Sequence, residues 1–428
     1  MKSTSLSVAA TLVTLASSVA IEKRQSEGFQ YVPLDFDNGA AERVTANFTF
    51  GTSPNATEVR VVMDTGSPSF WTWQPGAILN YGSPYLATLG PCNISVPTQY
   101  DYQNSPTAIV YNRTSSYAYG GNGKILRGSQ FANDTITPVG GSGAISNVQF
   151  ALEDFGLVRL RDDGSCRGID YDKAIIGLGP LDRSFAGYAP SFRQNLFEAG
   201  KIASQTLVMW FNRQADSLGQ FQGGALFGAI DTSKFTGPLV RVENVVESDQ
   251  YGVYVKKPLL TLGGQTFNTS TQTTCLVDSG FTRDEIPVPW EGAEADAFFN
   301  ATGGQIIRYS GAIAFNGSCD AIPDDLSIGY TFEGVTPGES ITIDVPIKNY
   351  ARGVIPYDEA DRGKICPLNM ETSTTCYLGA SFATKLFLAL DDRDNSVAFA
   401  KGGVADLGAG LDPDTLRVIG AGQTFDSV

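Results

Sequence analysis

The feature that most constrains this chain is a layout that occurs twice. VVMDTGSPSFW, from Val61 to Trp71, and CLVDSGFT, from Cys275 to Thr282, each hold an apolar run, an aspartate, a small hydroxyl residue and a glycine. Far downstream of each comes an apolar pair followed by glycine: Ile175-Ile176-Gly177-Leu178 in the first half and Tyr377-Leu378-Gly379 in the second. One Asp-Thr-Gly triplet carries little weight, because strands often end in turns that hold an aspartate. Two copies, each with a matching partner, imply two related halves whose midpoint falls near residues 205–240.

The sequence between these anchors is β-like. EVRVVM, ISNVQFAL, GGALFGAI and SITIDVPI alternate or run apolar for short stretches between Gly, Asn, Asp and Pro. Helical spacing stands out in two places, Ser191–Ile202 and Glu291–Thr302, both read as packed surface helices. With 428 residues, the chain can build two lobes with cores of their own. The expectation is an all-β protein of two lobes related by a pseudo-twofold axis, with a central cleft.

The chain has no histidine. That removes Ser-His-Asp and Cys-His catalysis, histidine-ligated zinc and imidazole bases. Proton transfer in acid must then come from carboxylates, and no metal or cofactor is expected. A net charge of −15 disfavours nucleic acid and anionic membranes as partners. Residues 1–20 carry one lysine, a short apolar run and a small-x-small ending at Ala20, as a secretory signal peptide does. Residues 21–24 end in Lys23-Arg24, which resembles a dibasic processing site. No later segment is apolar enough to span a membrane, and residues 406–428 lack the hydrophobic end of a lipid-anchor signal. Asn-x-Ser/Thr sequons at Asn47, Asn55, Asn93, Asn112, Asn133, Asn268, Asn300 and Asn316 agree with export. So does an even set of six cysteines, which suggests disulfides. The expected product is secreted, free of membrane anchors and monomeric.

Related lobes would bring Asp64 and Asp278 together. Two carboxylates in contact cannot both ionise cheaply, so they share a proton over a broad acid range. One can take a proton from water while the other protonates the carbonyl of the bond under attack. The glycines allow a tight turn and close approach. Thr65 and Ser279 can bond across to the opposite turn.

At this level of detail the chain resembles the pepsin-like aspartic proteases, over roughly residues 31–405. FGTSPNATEVRVVMDTGSPSFW looks like the family's opening strand and first catalytic loop, and SSYAYGGNG like the start of its flap. SQTLVMWFNRQ and GALFGAIDTSKFTG match the crossover between lobes, and YLGASFATKLFLALDDRDNSVAFA matches the closing segment. The resemblance implies an N-terminal lobe over 25–210 and a C-terminal lobe over 211–405. It implies a peptide or protein substrate cut at acid pH by Asp64 and Asp278, with no cofactor. Thr65, Gly66, Ser67, Ser279, Gly280 and Thr282 match the support of that pair: Ser67 bonds the first aspartate, Gly66 and Gly280 lie along the peptide, and Thr282 contacts its backbone. Tyr119 matches the flap tyrosine, and Trp71 the residue that holds it. Phe155 and Ile175 match positions that often line the pocket before the scissile bond, and an apolar pocket favours bulky hydrophobic residues at the cut. Cys319 and Cys366 resemble the family's C-terminal pair. Cys92 with Cys166 would bridge the N-terminal lobe, leaving Cys275 and Cys376 for a plausible third bridge that sequence does not settle.

Two departures stand out. The opening strand begins soon after Lys23-Arg24, which leaves no room for the usual basic prosegment, so a conventional zymogen is not expected. Phe281 also stands where the second turn usually supplies a hydroxyl to its aspartate, so Asp278 is expected to titrate high. Two other classes remain in view. One is a pepsin-like binding or inhibitor module with weak or no catalysis. The other is a glycoside hydrolase using two carboxylates, which needs no matched Asp-x-Gly turns.

Overall fold

The computed structural model describes residues 28–425, apart from 39–42, 57, 121–122, 161–163, 165, 167–172, 180–188, 215–217, 246–251, 269–272, 310–311 and 353–362. The expected signal peptide and the Lys23-Arg24 site lie outside the described residues.

Strand Gln30–Asp37 alternates buried and half-exposed positions, as a period-two pattern requires. Its inner residues Val32, Leu34 and Phe36 enter the main core. It pairs antiparallel with Gln220–Phe227, which pairs with Thr206–Phe211. Leu386–Asp391, Ser396–Lys401 and Thr236–Val242 complete this layer in order. The beginning, middle and end of the chain are thus woven into one sheet. Thr206–Phe211 and Leu386–Asp391 are buried at every position. One face meets the main core through Leu207, Met209, Leu388 and Leu390. The other carries Val208, Trp210, Phe387 and Ala389 into a second cluster closed by Phe29 and Phe425. The 210/211 division expected between lobes falls inside Thr206–Phe211.

From Gln30–Asp37 the sheet continues into the first lobe and ends at the hairpin of Ile109–Tyr119 and Lys124–Pro138. The second lobe is built from smaller sheets of five, four and three strands among the described residues. The architecture is all-β and bilobal. Both expected helices form, more briefly than the sequence patterns. Phe192–Glu198 is capped by Ser191, whose Oγ accepts the Gln194 N–H at 3.2 Å, and it ends before Gly200 at φ +66°. The other is Ala293–Asn300.

Three disulfides join Cys92 to Cys166, Cys275 to Cys376 and Cys319 to Cys366, with Cα separations of 6.3, 4.6 and 4.9 Å. The first and third are the pairs that the resemblance implied, and the second is the bridge that the sequence left open. The tail is docked: Leu416–Val418 pairs with Ala229–Asp231, and Lys234 Nζ donates to the Gly410 carbonyl at 2.6 Å. Asn55, Asn93, Asn112, Asn268, Asn300 and Asn316 are exposed, whereas Asn47 and Asn133 are half-buried. Among the described residues no helix is long and apolar enough to cross a membrane.

Candidate active site

The duplicated sequence layout becomes a duplicated backbone. Strand Glu58–Asp64 runs parallel to Ala174–Gly177, with Asp64 opposite Gly177. Strand Thr274–Val277 runs parallel to Tyr377–Leu378. The Leu178 N–H donates to the Asp64 carbonyl at 2.7 Å, and the Asp278 N–H donates to the Leu378 carbonyl at 2.9 Å. The downstream glycines are therefore neighbours of the turns. A Cβ on Gly177 would lie 2.3 Å from the Pro68 backbone, so the chain can pass there only without a side chain.

The two turns bond across to each other through both hydroxyls. Ser279 Oγ accepts from the Thr65 N–H at 3.0 Å and donates to the Met63 carbonyl at 2.6 Å. Thr65 Oγ1 accepts from the Ser279 N–H at 2.9 Å and donates to the Val277 carbonyl at 2.7 Å. Both residues are buried, so these four bonds are made away from water, where partners are costly to lose. The result is a reciprocal clasp between distant parts of the chain.

This clasp sets the carboxyl groups face to face. A Cβ on Gly66 would lie 2.3 Å from Asp278 Cγ, and one on Gly280 would lie 2.5 Å from Asp64 Oδ1. Each glycine thus makes room for the opposite aspartate. Asp64 Oδ1 accepts from the Gly66 N–H at 2.9 Å, and its Oδ2 accepts from Ser67 Oγ at 2.6 Å. Asp278 Oδ1 accepts from the Gly280 N–H at 2.9 Å. Burial pushes the Asp278 carboxyl well above the ordinary range, and the neighbouring Asp64 adds to the rise. The direction is the one Phe281 led us to expect, but burial is its largest cause. The Phe281 ring packs against Tyr377, with centroids 5.1 Å apart.

The hairpin lies over this pair. Tyr119 is the last residue of its first strand and pairs with Lys124. Trp71 Nε1 donates to Tyr119 Oη at 2.7 Å, and Trp71 meets Trp73 edge to face at 5.3 Å. Both tryptophans are fully buried, which makes a rigid floor for a hydroxyl at the cleft.

The cleft has a volume of about 340 Å³. Tyr119, Ile175, Gly280, Phe281 and Thr282 line it, and Gly66 and Trp71 are not part of the lining. Phe155 is not part of the lining; Val158 and Arg159 of the same strand are. The register between Phe70–Ser83 and Ile145–Arg159 shifts between Trp73 and Ile78. Phe155 is then paired with Ile78 on one side and Arg127 on the other, and it is half-buried.

Sequence reading did not single out Arg43, Lys124 and Arg159, three cations that also line the cleft. It also passed over Asp284, a fully buried acid behind the second turn. Asp284 Oδ1 accepts from the Gly379 N–H at 2.8 Å and Oδ2 from Tyr350 Oη at 2.7 Å. Burial pushes its carboxyl up to about 7. The one mark of it in the sequence is the charged run Arg283-Asp284-Glu285 directly after the turn.

Residues 45–402 match the family described as eukaryotic aspartyl protease. The chain is 29% identical over 224 residues to the probable aspartic-type endopeptidase OPSB of Arthroderma benhamiae, a match covering 52% of this chain and 39% of that protein. It is 23% identical over 406 residues to the probable aspartic-type endopeptidase opsB of Aspergillus oryzae, covering 89% and 74%. It is 24% identical over 370 residues to aspartic proteinase yapsin-3 of Saccharomyces cerevisiae, covering 80% and 63%. The chain therefore spans less than two thirds of the length of the first and third of these proteins.

Proposed function

Because the chain belongs to the eukaryotic aspartyl protease family, we propose that it is a secreted endopeptidase whose Asp64 and Asp278 activate a water in acid. The observation that carries this reading is the clasped pair of turns, in which each glycine leaves space for the opposite carboxyl. Asp278, held high by burial, keeps the shared proton. Ser67 and Gly66 both donate to Asp64, which assigns it the role of base. Asp64 takes a proton from the water as its oxygen attacks the peptide carbonyl, and Asp278 protonates the carbonyl oxygen. The tetrahedral adduct then collapses. Its C–N bond breaks, the proton on Asp64 goes to the leaving nitrogen, and Asp278 recovers a proton from the adduct. Tyr119 closes over the substrate, and Ile175 offers an apolar wall that suits a bulky hydrophobic residue at the cut.

The test is cleavage of an unfolded protein between about pH 3 and 6.5, with and without the peptide inhibitor pepstatin. Inhibitable cleavage that falls by about 10³-fold in Asp64→Asn supports the reading. No cleavage and no pepstatin binding across that range would overturn it. The alternative is a pepsin-like binding or inhibitor module, and Phe281 in place of a hydroxyl is what favours it; it requires peptide binding without turnover. Export rests on the Ala20 ending, Lys23-Arg24, the sequons and the three disulfides. Mass spectrometry of secreted protein is expected to show an N-terminus at Gln25.

A further inference from the structure

One peptide group links the second aspartate to a buried acid that the proposed chemistry does not use. Strand Tyr377–Leu378 lies between Thr274–Val277, which leads into Asp278, and Asp284–Ile286, which follows the turn. The Leu378–Gly379 peptide faces both neighbours. Its carbonyl accepts from the Asp278 N–H at 2.9 Å, and its N–H donates to Asp284 Oδ1 at 2.8 Å. Each bond polarises the peptide in the sense that strengthens the other. The approach is close: a Cβ on Gly379 would lie 2.7 Å from the Arg283 carbonyl oxygen and 3.0 Å from that of Phe281.

Asp284 is itself held in place. Its own N–H donates to the Asn369 carbonyl at 3.1 Å, and the Phe382 N–H also bonds its carboxyl. Oδ2 is bonded to Tyr350 Oη at 2.7 Å, and Tyr350 Oη lies 3.0 Å from Tyr330 Oη. Both phenols are fully buried. Burial keeps the carboxyl neutral in acid, where a proton on Oδ2 can point to Tyr350 while Oδ1 still accepts from Gly379. The charged residues beside it have partners of their own: Arg283 Nη1 pairs with Glu371 at 2.7 Å, and Glu285 accepts from Thr375 Oγ1. Asp278 lies beyond the shared peptide. The first lobe holds Phe70 at the same offset, six residues after its aspartate. Phe70 is fully buried in the main core, and there the Gly177 N–H is satisfied by the Ser69 carbonyl instead. The fold therefore accepts an apolar side chain at this offset, and what the carboxyl adds in the second lobe is the bond to Gly379.

Resting on the endopeptidase reading, we propose that Asp284 is a positioning residue for Asp278: through the Leu378–Gly379 peptide it fixes the backbone of the second turn, and with it the carboxyl that faces Asp64. In front, Asp278 has the Gly280 amide, with Phe281 in place of a hydroxyl, so its placement depends more on what lies behind.

The test uses the full-length chain, with working sites counted by pepstatin titration so that loss of folded protein does not register. Asp284→Asn keeps an acceptor for Gly379 and a polar partner for Tyr350; Asp284→Leu removes both. The leucine variant should lose about tenfold in kcat per titrated site with KM nearly unchanged, and the asparagine variant should stay within about twofold of the wild type. A loosened turn also admits water to Asp278, whose high titration comes mainly from burial. The alkaline limb of the pH–rate profile should therefore move down in Asp284→Leu and stay in place in Asp284→Asn. Full kcat per site in Asp284→Leu overturns the proposal, however far its Tm falls. So does an asparagine variant as impaired as the leucine one. If Asp284→Leu does not fold, Asp284→Ala removes the same acceptor with less bulk and carries the same expectations. If the wild type cleaves nothing, the endopeptidase reading falls first. The carboxyl carbon resonance of Asp278, followed by NMR against pH, then decides the positioning role: it should titrate lower in Asp284→Leu than in the wild type and Asp284→Asn, and an unmoved titration overturns it.

Discussion

At the first turn an amide and a hydroxyl both donate to Asp64; at the second, the Gly280 amide donates to Asp278 and a phenyl ring stands in the hydroxyl's place. Behind the turns the contrast runs the other way. The Gly177 N–H donates to a main-chain carbonyl, that of Ser69, at 2.8 Å. The Gly379 N–H donates to the side chain of Asp284. The backbone symmetry is thus kept by different means in the two lobes. The first lobe spends a side chain in front of its aspartate and uses backbone behind it. The second uses a buried acid behind and the Gly280 amide in front. The difference teaches that the turn geometry and the proton balance are separable: glycines and the hydroxyl clasp set the first, and local donors set the second.

Four experiments would break or sharpen this comparison. The largest effect is expected where the turns are most alike. Gly66→Ala and Gly280→Ala each push a methyl into the opposite carboxyl, so both should lose about 100-fold in kcat while still folding. A large loss in one alone would show that the two aspartates are not equivalently packed. Ser67→Ala comes next, with a loss of about tenfold. Removing that donor disfavours the Asp64 anion, so the acid limb of the pH–rate profile should move up. Phe281→Thr does the reverse at the other turn. A donor added to Asp278 favours its anion, so the alkaline limb should move down by about one unit. An unmoved limb would mean that the new hydroxyl does not reach Asp278.

The smallest effect concerns stability. Asp284 holds its proton to a higher pH in the folded protein than in the unfolded chain. Its contribution is therefore complete below its ordinary 3.8 and is lost as pH rises through about 7. Glu153, raised to about 8 in the first lobe, acts in the same direction. Thermal unfolding followed from pH 5 to 8 should show a falling Tm. Asp284→Asn should flatten part of that fall, and the Glu153 part should persist.

What could be read from the sequence was whatever repeats or is local. The two Asp-x-Gly turns and their downstream glycines recur at similar spacing, so the sequence alone pairs Asp64 with Asp278 and Gly177 with Gly379. Strands at EVRVVM, ISNVQFAL and SITIDVPI and the cores of both helices followed from periodicity. Residues that meet only through the fold were not legible. Arg43, Lys124 and Arg159 come from three separated segments, and nothing in their neighbourhoods marks them as neighbours of one space. Phe155 is absent from the cleft lining; the register shift after Trp73 lies beside it, and irregular pairing leaves no trace in alternation. Asp284 reads as a surface residue beside Arg283; only the sheet behind the turn shows that three elements enclose it.

If the proposed endopeptidase activity holds, the bridge between Cys275 and Cys376 has a further consequence. It joins the strand leading into Asp278 to the strand alongside it, while enclosing most of the second lobe's sequence. A self-inflicted nick anywhere inside that span would cut the chain without separating the pieces. The second aspartate and its supporting strand would stay covalently attached, and the two pieces would separate only after reduction together with loss of the shared sheet.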